Sequence, residues 1–245
     1  MNVYEQAARA IKNARRVTGF TGAGISVESG IPPFRGEGGL WSKYDPTCLD
    51  IGYFRANPKA AWKVIKEIFY DFFSRAEPNA AHRGLALMEE NGLLQTVITQ
   101  NIDNLHQEAG TAEVFEFHGN SKYLICLDCG KVFHHSEIGF DTLPPACAAC
   151  GGLLKPDFVF FGEPIPERPH TRAIEEAQSS DVFLLIGTTG EVMPASFIPP
   201  LAKQNGAVIV EMNVEKSNYT DQITDIFLQA KATEAMTALL QALDL

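Results

Sequence analysis

Four of the five cysteines in this 245-residue chain fall into two tight pairs, Cys126-Leu127-Asp128-Cys129 and Cys147-Ala148-Ala149-Cys150, with the 17 residues 130–146 between them. Two such pairs can bring four thiolates to one tetrahedral ion, and a spacer of this length folds back as a small β-loop. The pattern predicts zinc. Four thiolates leave no coordination position for water or substrate, so the metal is expected to be structural. Two redox dithiols are the weaker alternative, because a redox pair is usually single and opens a helix. His134 and His135 lie in the spacer and are expected as exposed loop residues. Cys48 stands alone and is expected to pack as a small apolar side chain.

A second group of residues suits a phosphorylated ligand. The β-like run Val17–Phe20 feeds Thr21-Gly22-Ala23-Gly24, where Gly22 and Gly24 let backbone approach a pyrophosphate and Ser26 adds a hydroxyl donor. The third glycine of a dehydrogenase fingerprint would fall at position 27, which is Val27, so hydride transfer is disfavoured. The following Gly- and Pro-rich stretch contains Phe34 and Arg35 and suggests an ordered but movable flap over a phosphorylated ligand; taken alone it reads equally as a long connection with a surface Arg. Gln100-Asn101-Ile102-Asp103 follows the apolar run Thr96–Thr99; taken singly, each also fits an Asx turn, and Asp103 a helix cap.

The elements that must hold these groups read as α/β. Helical spacing is expected over residues 3–14, 80–90, 171–178, 195–204 and 234–243, with Pro199-Pro200 kinking or delaying the fourth. Runs 17–20, 96–99, 182–186 and 208–212 read as strands buried on both faces. Alternation of the two predicts a Rossmann-like, doubly wound parallel sheet. Two stretches interrupt the rhythm. Residues 34–75 carry aromatics at helical spacing (Trp62, Ile65, Ile68, Phe69, Phe72, Phe73), and residues 121–154 carry the cysteines. The expected division is therefore 1–33, 76–120 and 155–245 as the nucleotide-binding domain. A helical module (34–75) and a zinc module (121–154) would form a smaller domain over the strands' C-terminal edge, where open α/β sheets bind ligands.

Composition narrows the function classes. A net charge of −10, from 20 basic and 30 acidic residues, disfavours direct nucleic-acid binding and suits basic partners. The N-terminus reads as an amphipathic helix rather than a signal peptide, and no apolar run approaches membrane-spanning length, so a cytoplasmic protein with no membrane association is expected.

Taken together, the motifs resemble the sirtuins, the NAD-dependent protein-lysine deacylases. The run Thr21–Trp41 (TGAGISVESGIPPFRGEGGLW) is similar to the family's signature loop. Thr99-Gln100-Asn101-Ile102-Asp103-Asn104-Leu105-His106, Phe117-His118-Gly119, the two cysteine pairs, Phe161-Gly162-Glu163, Gly187-Thr188-Thr189 and Asn213 follow in family order.

The resemblance implies that NAD is consumed. The acyl-lysine amide oxygen attacks C1′ of the nicotinamide ribose, giving nicotinamide, O-acyl-ADP-ribose and free lysine. His118 would be the general base, with Asn101 and Asp103 in the catalytic set. Gly22, Ala23, Gly24, Ser26, Phe34, Arg35, Gln100, Asn101, Ile102, Asp103, Gly187, Thr188, Thr189, Asn213 and Ala232 would hold NAD. The acyl-lysine peptide would add a strand along Glu163–Ile165 and Gly190–Val192, with Val159, Phe161, Gly162, Glu163, Gly190, Glu191 and Val192 as substrate residues. His82 and His106 would be structural, and His170 a surface residue. A carboxylate-binding Tyr-x-x-Arg pair is missing from the helical module, since Tyr70 is followed by Phe73; acetyl or longer apolar acyl groups are implied. A monomer is expected. The rival readings are a mono-ADP-ribosyltransferase or NAD glycohydrolase on the same fold, or a non-catalytic NAD or acyl-lysine sensor.

Overall fold

Ala7, Ala8 and Ile11 share one face of the first helix, and Asn2 caps it in a reciprocal box with Glu5. The same logic of caps and apolar stripes recurs through the computed structural model, which describes residues 1–36 and 38–245, without the side chains of Phe72 and Ser74. Glu37 of the predicted flap run and the Phe72 ring therefore lie outside the described residues.

The chain opens with α1 (Val3–Asn13) and β1 (Val17–Thr21). Short helices α2 (Leu40–Lys43), α3 (Ile51–Ala56) and α4 (Pro58–Ile65) follow, then α5 (Ala80–Glu90), β2 (Thr96–Thr99), α6 (Leu105–Glu108) and β3 (Val114–Glu116). Strands β4 (Gly119–Cys126), β5 (Val132–His134) and β6 (Leu154–Phe158) come next. The chain closes with α7 (Glu167–Ser179), β7 (Val182–Ile186), α8 (Ile198–Gln204), β8 (Val208–Asn213), β9 (Ile226–Gln229) and α9 (Ala232–Leu243).

Six strands form one parallel sheet in the order β3-β2-β1-β7-β8-β9. Side chains alternate between its faces, and both faces are covered, which explains the unbroken apolar run of β7 and the full burial of β1 and β2. Val182, Leu184 and Ile186 face α1, α5 and α9 in one core. Phe183 and Leu185 face α7 and α8 in another. Three antiparallel strands, β5-β4-β6, make a second, smaller sheet. A third core joins that sheet to the aromatic helices, with Trp62 buried at its centre and donating from Nε1 to the Leu154 carbonyl at 2.9 Å.

The aromatic segment differs in detail from a continuous helix. After α4, residues Lys66–Phe72 widen into a π-helix. The wider turn shifts the inward register and still buries Ile68 and Phe69. The prolines at 199–200 fall in the first turn of α8, where a missing N–H is tolerated, so the helix proper starts late, after a 3₁₀ turn at Ala195–Phe197. Helix α7 begins at Glu167, four residues before the predicted start. His134 ends a strand and His135 packs its ring 5.9 Å from Tyr70; both are half-buried rather than exposed loop residues. His170, expected at the surface, is half-buried beside Phe117 at 6.1 Å.

Candidate active site

The C-terminal ends of β1, β2, β7 and β8 surround a cavity of about 800 Å³, roomy enough for a dinucleotide with part of a second substrate. Its floor depends on two glycine turns in backbone contact. Gly24 N–H donates to the Gly187 carbonyl at 2.9 Å. A Cβ on Gly24 would stand 2.5 Å from the Gly187 Cα, and Gly187 itself has φ +63. No other residue type permits this approach of the β1 and β7 turns.

The segment after β2 carries the polar set. Asn101 is buried, and its amide donates to the Gly22 carbonyl and to Ser26 Oγ, each at 3.2 Å. Gln100 Nε2 donates to Thr188 Oγ1 at 3.0 Å, and Asn213 Nδ2 to the Thr188 carbonyl at 3.0 Å. Ser26 Oγ donates to Asp103 Oδ2 at 2.7 Å, while Asp103 Oδ1 accepts the Leu105 N–H at 3.1 Å. Asp103 therefore closes an Asx turn just before α6, whose N-cap is Asn104 and carries no side-chain cap bond. Burial raises the Asp103 carboxyl above its ordinary value, with the Ser26 hydroxyl and the Leu105 N–H opposing.

His118 follows β3 and lines the cavity. Its Nδ1 lies 3.0 Å from the Gln100 carbonyl. A carbonyl can only accept, so Nδ1 carries the proton and Nε2 keeps the basic lone pair. Burial lowers its pKa, and the bond to Gln100 partly offsets this.

Of the predicted ligand residues, Gly22, Ala23, Gly24, Phe34, Arg35, Gln100, Asn101, Ile102, Gly187, Thr188, Thr189, Asn213 and Ala232 line the cavity, as do Val159, Phe161, Gly162, Glu163 and Val192. Ser26, Asp103, Gly190 and Glu191 do not. Gly190 (φ +76) lies against Tyr219, whose ring would be 2.7 Å from any Cβ there, so this position stays without a side chain. Glu191 Oε2 is 3.9 Å from Arg35 Nε; both are half exposed, so the pair contributes at most about 1 kcal/mol. Trp41, the last residue of the signature-like run, Leu49 and Lys231 also line the cavity; none is singled out by the sequence, because they lie in short helices or at a helix start with no periodicity of their own.

Beneath the floor, His82 and His106 are fully buried with rings 5.0 Å apart. His82 Nδ1 accepts the Asn79 N–H at the start of α5, and His106 Nε2 meets Thr21 Oγ1 at 2.9 Å. Burial pushes their pKa values down to about 4 and about 3. Below pH 6.5 the unfolded chain takes up protons that these two rings refuse. Stability is therefore expected to fall as pH drops from 6.5, by about 1.4 kcal/mol per pH unit per histidine, down to each folded-state value. Urea unfolding between pH 7 and 5 checks this; a flat profile would contradict it.

Away from the cavity, Cys126, Cys129, Cys147 and Cys150 bring four Sγ atoms within 4.8 Å of one another, with Cys126–Cys150 at 3.5 Å and Cys129–Cys147 at 3.8 Å. Tetrahedral zinc with Zn–S of about 2.3 Å requires S···S of about 3.8 Å. The donor set and spacing are consistent with structural zinc, and none of the four lines the cavity.

A six-stranded parallel sheet with a glycine-turn dinucleotide cleft and a four-cysteine antiparallel insert defines a class of NAD-binding α/β proteins. Within that class, the Sir2 family pattern matches residues 22–194. The "NAD-dependent protein deacylase 2" of Pyrobaculum aerophilum is 43% identical, across 98% of this chain and 94% of its own. The "NAD-dependent protein deacylase" of Thermococcus kodakarensis is 42% identical, across 96% and 93%. Among solved structures, a Sir2–p53 peptide–NAD+ complex superposes with TM-score 0.91 at 32% identity, covering 98% of both chains. A Sir2 homologue mutant bound to ADP-ribose gives 0.93 at 36% identity, covering 100% and 97%. The chain belongs to the Sir2 (sirtuin) family and is an NAD-dependent protein deacylase. No helix among the described residues is long and apolar enough to cross a membrane.

Proposed function

We propose that the acyl-lysine amide oxygen attacks C1′ of the NAD ribose, nicotinamide leaves, and His118 Nε2 then takes a proton from a ribose hydroxyl. That oxygen closes on the imidate carbon, and water releases the lysine amine and O-acyl-ADP-ribose. The observation that carries this reading is the Nδ1–Gln100 carbonyl contact, which fixes the tautomer so that the other ring nitrogen is the base.

NAD binds between the glycine turns, with Gln100 and Asn213 ordering the Thr188 turn beside it. Asn101 holds Ser26 and the Gly22 carbonyl in place, and through Ser26 the Asp103 carboxyl. Ile102 at the cavity wall orients the carboxamide of nicotinamide, with Asp103 acting from just behind the wall through Ser26 and the backbone it holds, and Phe34 shields C1′ from water. Cys126, Cys129, Cys147 and Cys150 would hold zinc, which supplies rigidity and no chemical step. One chain carries every group the reaction needs, in keeping with a monomer, and a four-thiolate centre suits the reducing cytoplasm. In this division of labour, 1–33, 76–120 and 155–245 act as the NAD-binding domain, while 34–75 and 121–154 close over it.

The second substrate is an acyl-lysine protein or peptide, whose backbone pairs with Glu163–Ile165 and Gly190–Val192. The acyl-lysine passes along Val159 and Phe161, and the apolar wall suits acetyl or longer apolar acyl groups. Incubation with NAD and an acetyl-lysine peptide should yield nicotinamide, acetyl-ADP-ribose and lysine peptide in equal amounts by mass spectrometry. ADP-ribosylated peptide, or free ADP-ribose alone, would refute the mechanism.

Glu191 gives the peptide edge a negative charge. Glu191→Val is expected to lower kcat/KM for peptides with Lys or Arg beside the acyl-lysine by roughly 3- to 10-fold, with acidic peptides unaffected or improved. Equal effects on both peptide classes would refute a role in charge selection.

A further inference from the structure

Strand β6 carries a cation that the reaction does not use. Lys155 is only 4% exposed, a burial that lysine tolerates when its ammonium is fully bonded. Its Nζ donates to the carbonyls of Pro156 at 2.9 Å and Phe158 at 2.7 Å, and stands 3.0 Å from Glu163 Oε2. It also lies 4.3 Å over the Phe160 ring. The same Glu163 oxygen accepts the Phe160 N–H at 2.8 Å. Three ammonium protons thus face three oxygens, and residues 156–163 wrap around one charge.

This wrapped segment is tied to its surroundings at each side of the cleft. Val159 N–H donates to the His118 carbonyl at 2.8 Å, Phe161 N–H to the Leu49 carbonyl at 2.8 Å, and the Phe161 carbonyl accepts Ile51 N–H at 3.1 Å. Between those ties, Val159, Phe161 and Gly162 line the cavity. The Glu163 carboxylate meets the lysine ammonium and the Phe160 N–H, so its charge is neutralised within the segment.

We infer that Lys155, with Glu163 as its counter-ion, is a positioning residue that shapes the acyl-lysine wall and the peptide-pairing edge of the active site. The groups proposed for NAD stand mostly on other elements, at the ends of β1, β2, β7 and β8. Loss of the knot therefore acts on the peptide substrate and spares NAD. The inference rests on the proposed course of the peptide along Glu163–Ile165.

Steady-state kinetics of the zinc-loaded full chain, with acetyl-lysine peptide and NAD varied separately, test it. Lys155→Met is expected to raise the peptide KM by roughly ten-fold, with the NAD KM within about two-fold of wild type and Lys155→Arg restoring most of the loss. A folded Lys155→Met protein whose peptide KM is unmoved, or whose two KM values rise together, overturns the inference. If Lys155→Met does not fold, Glu163→Gln takes its place: it keeps an acceptor for Phe160 N–H, removes only the charge, and carries the same expected result and the same refutation. Absence of peptide-dependent turnover in the wild-type protein would overturn the proposed mechanism and this inference with it; normal wild-type turnover with unmoved variants overturns this inference alone.

Discussion

Replacing His118 by Ala is expected to lower kcat for deacylation by about 10²- to 10⁴-fold, the usual contribution of a positioned general base. The folded state should survive, because the ring lines the cavity and, among the described residues, hydrogen-bonds only to the backbone carbonyl of Gln100. In the proposed mechanism the base acts after nicotinamide has left, so exchange of labelled nicotinamide into NAD should persist in the variant while O-acyl-ADP-ribose formation collapses. Because burial lowers the His118 pKa, the wild-type ring stays in its basic form at neutral pH, and the acid limb of kcat should lie below the ordinary histidine value of about 6.5. A variant that loses exchange and deacylation equally would move His118 from proton transfer to NAD binding.

Removing the metal is expected to have the second large effect. Structural zinc sites contribute an apparent binding free energy of about 10–16 kcal/mol in small peptides, comparable to the whole stability of an ordinary domain. Here the thiolates close the turns that flank the small sheet: Cys126 pairs with Leu154 across β4 and β6, and Ala146 bridges Leu153. Strand β6 leads directly into the segment lining the cavity. Cys147→Ser, or prolonged chelation, should therefore abolish zinc binding and lower the melting temperature. It should also remove deacylase activity, which zinc would restore to the chelated wild-type chain. Metal content, thermal melts and turnover measured on one sample decide it. Full activity in a metal-free chain would show that the small sheet stands on its own apolar core.

How far the sequence disclosed this architecture depends on burial. Strands β1, β2, β7 and β8 are covered on both faces, so they are buried almost throughout; β7 is wholly apolar and the others set apolar residues among buried threonines or a glutamate, which keeps the runs visible. Strands β3 and β9 form the sheet's edges and are only partly buried; three or four residues with polar neighbours carry no period, and both escaped notice. Helix α7 begins at Glu167 in a polar stretch, Glu-Arg-Pro-His, that offers no apolar stripe. The glycine turns and the Gln100–Asp103 segment were legible as a candidate site because no packing role explains so many small and polar residues at strand ends. Lys155 was not, since its buried charge is balanced by Glu163 eight positions away, and pattern reading does not measure that proximity. The same holds for Tyr219 against Gly190.

The central claim is that this cavity couples cleavage of NAD to an acyl-lysine amide. The direct measurement is nicotinamide release by the zinc-loaded wild-type chain, with and without saturating acetyl-lysine peptide. The account predicts release at least roughly 100-fold faster with the peptide than without it, since the amide must stand at C1′ for the bond to break productively. Equal release in the two samples would contradict it.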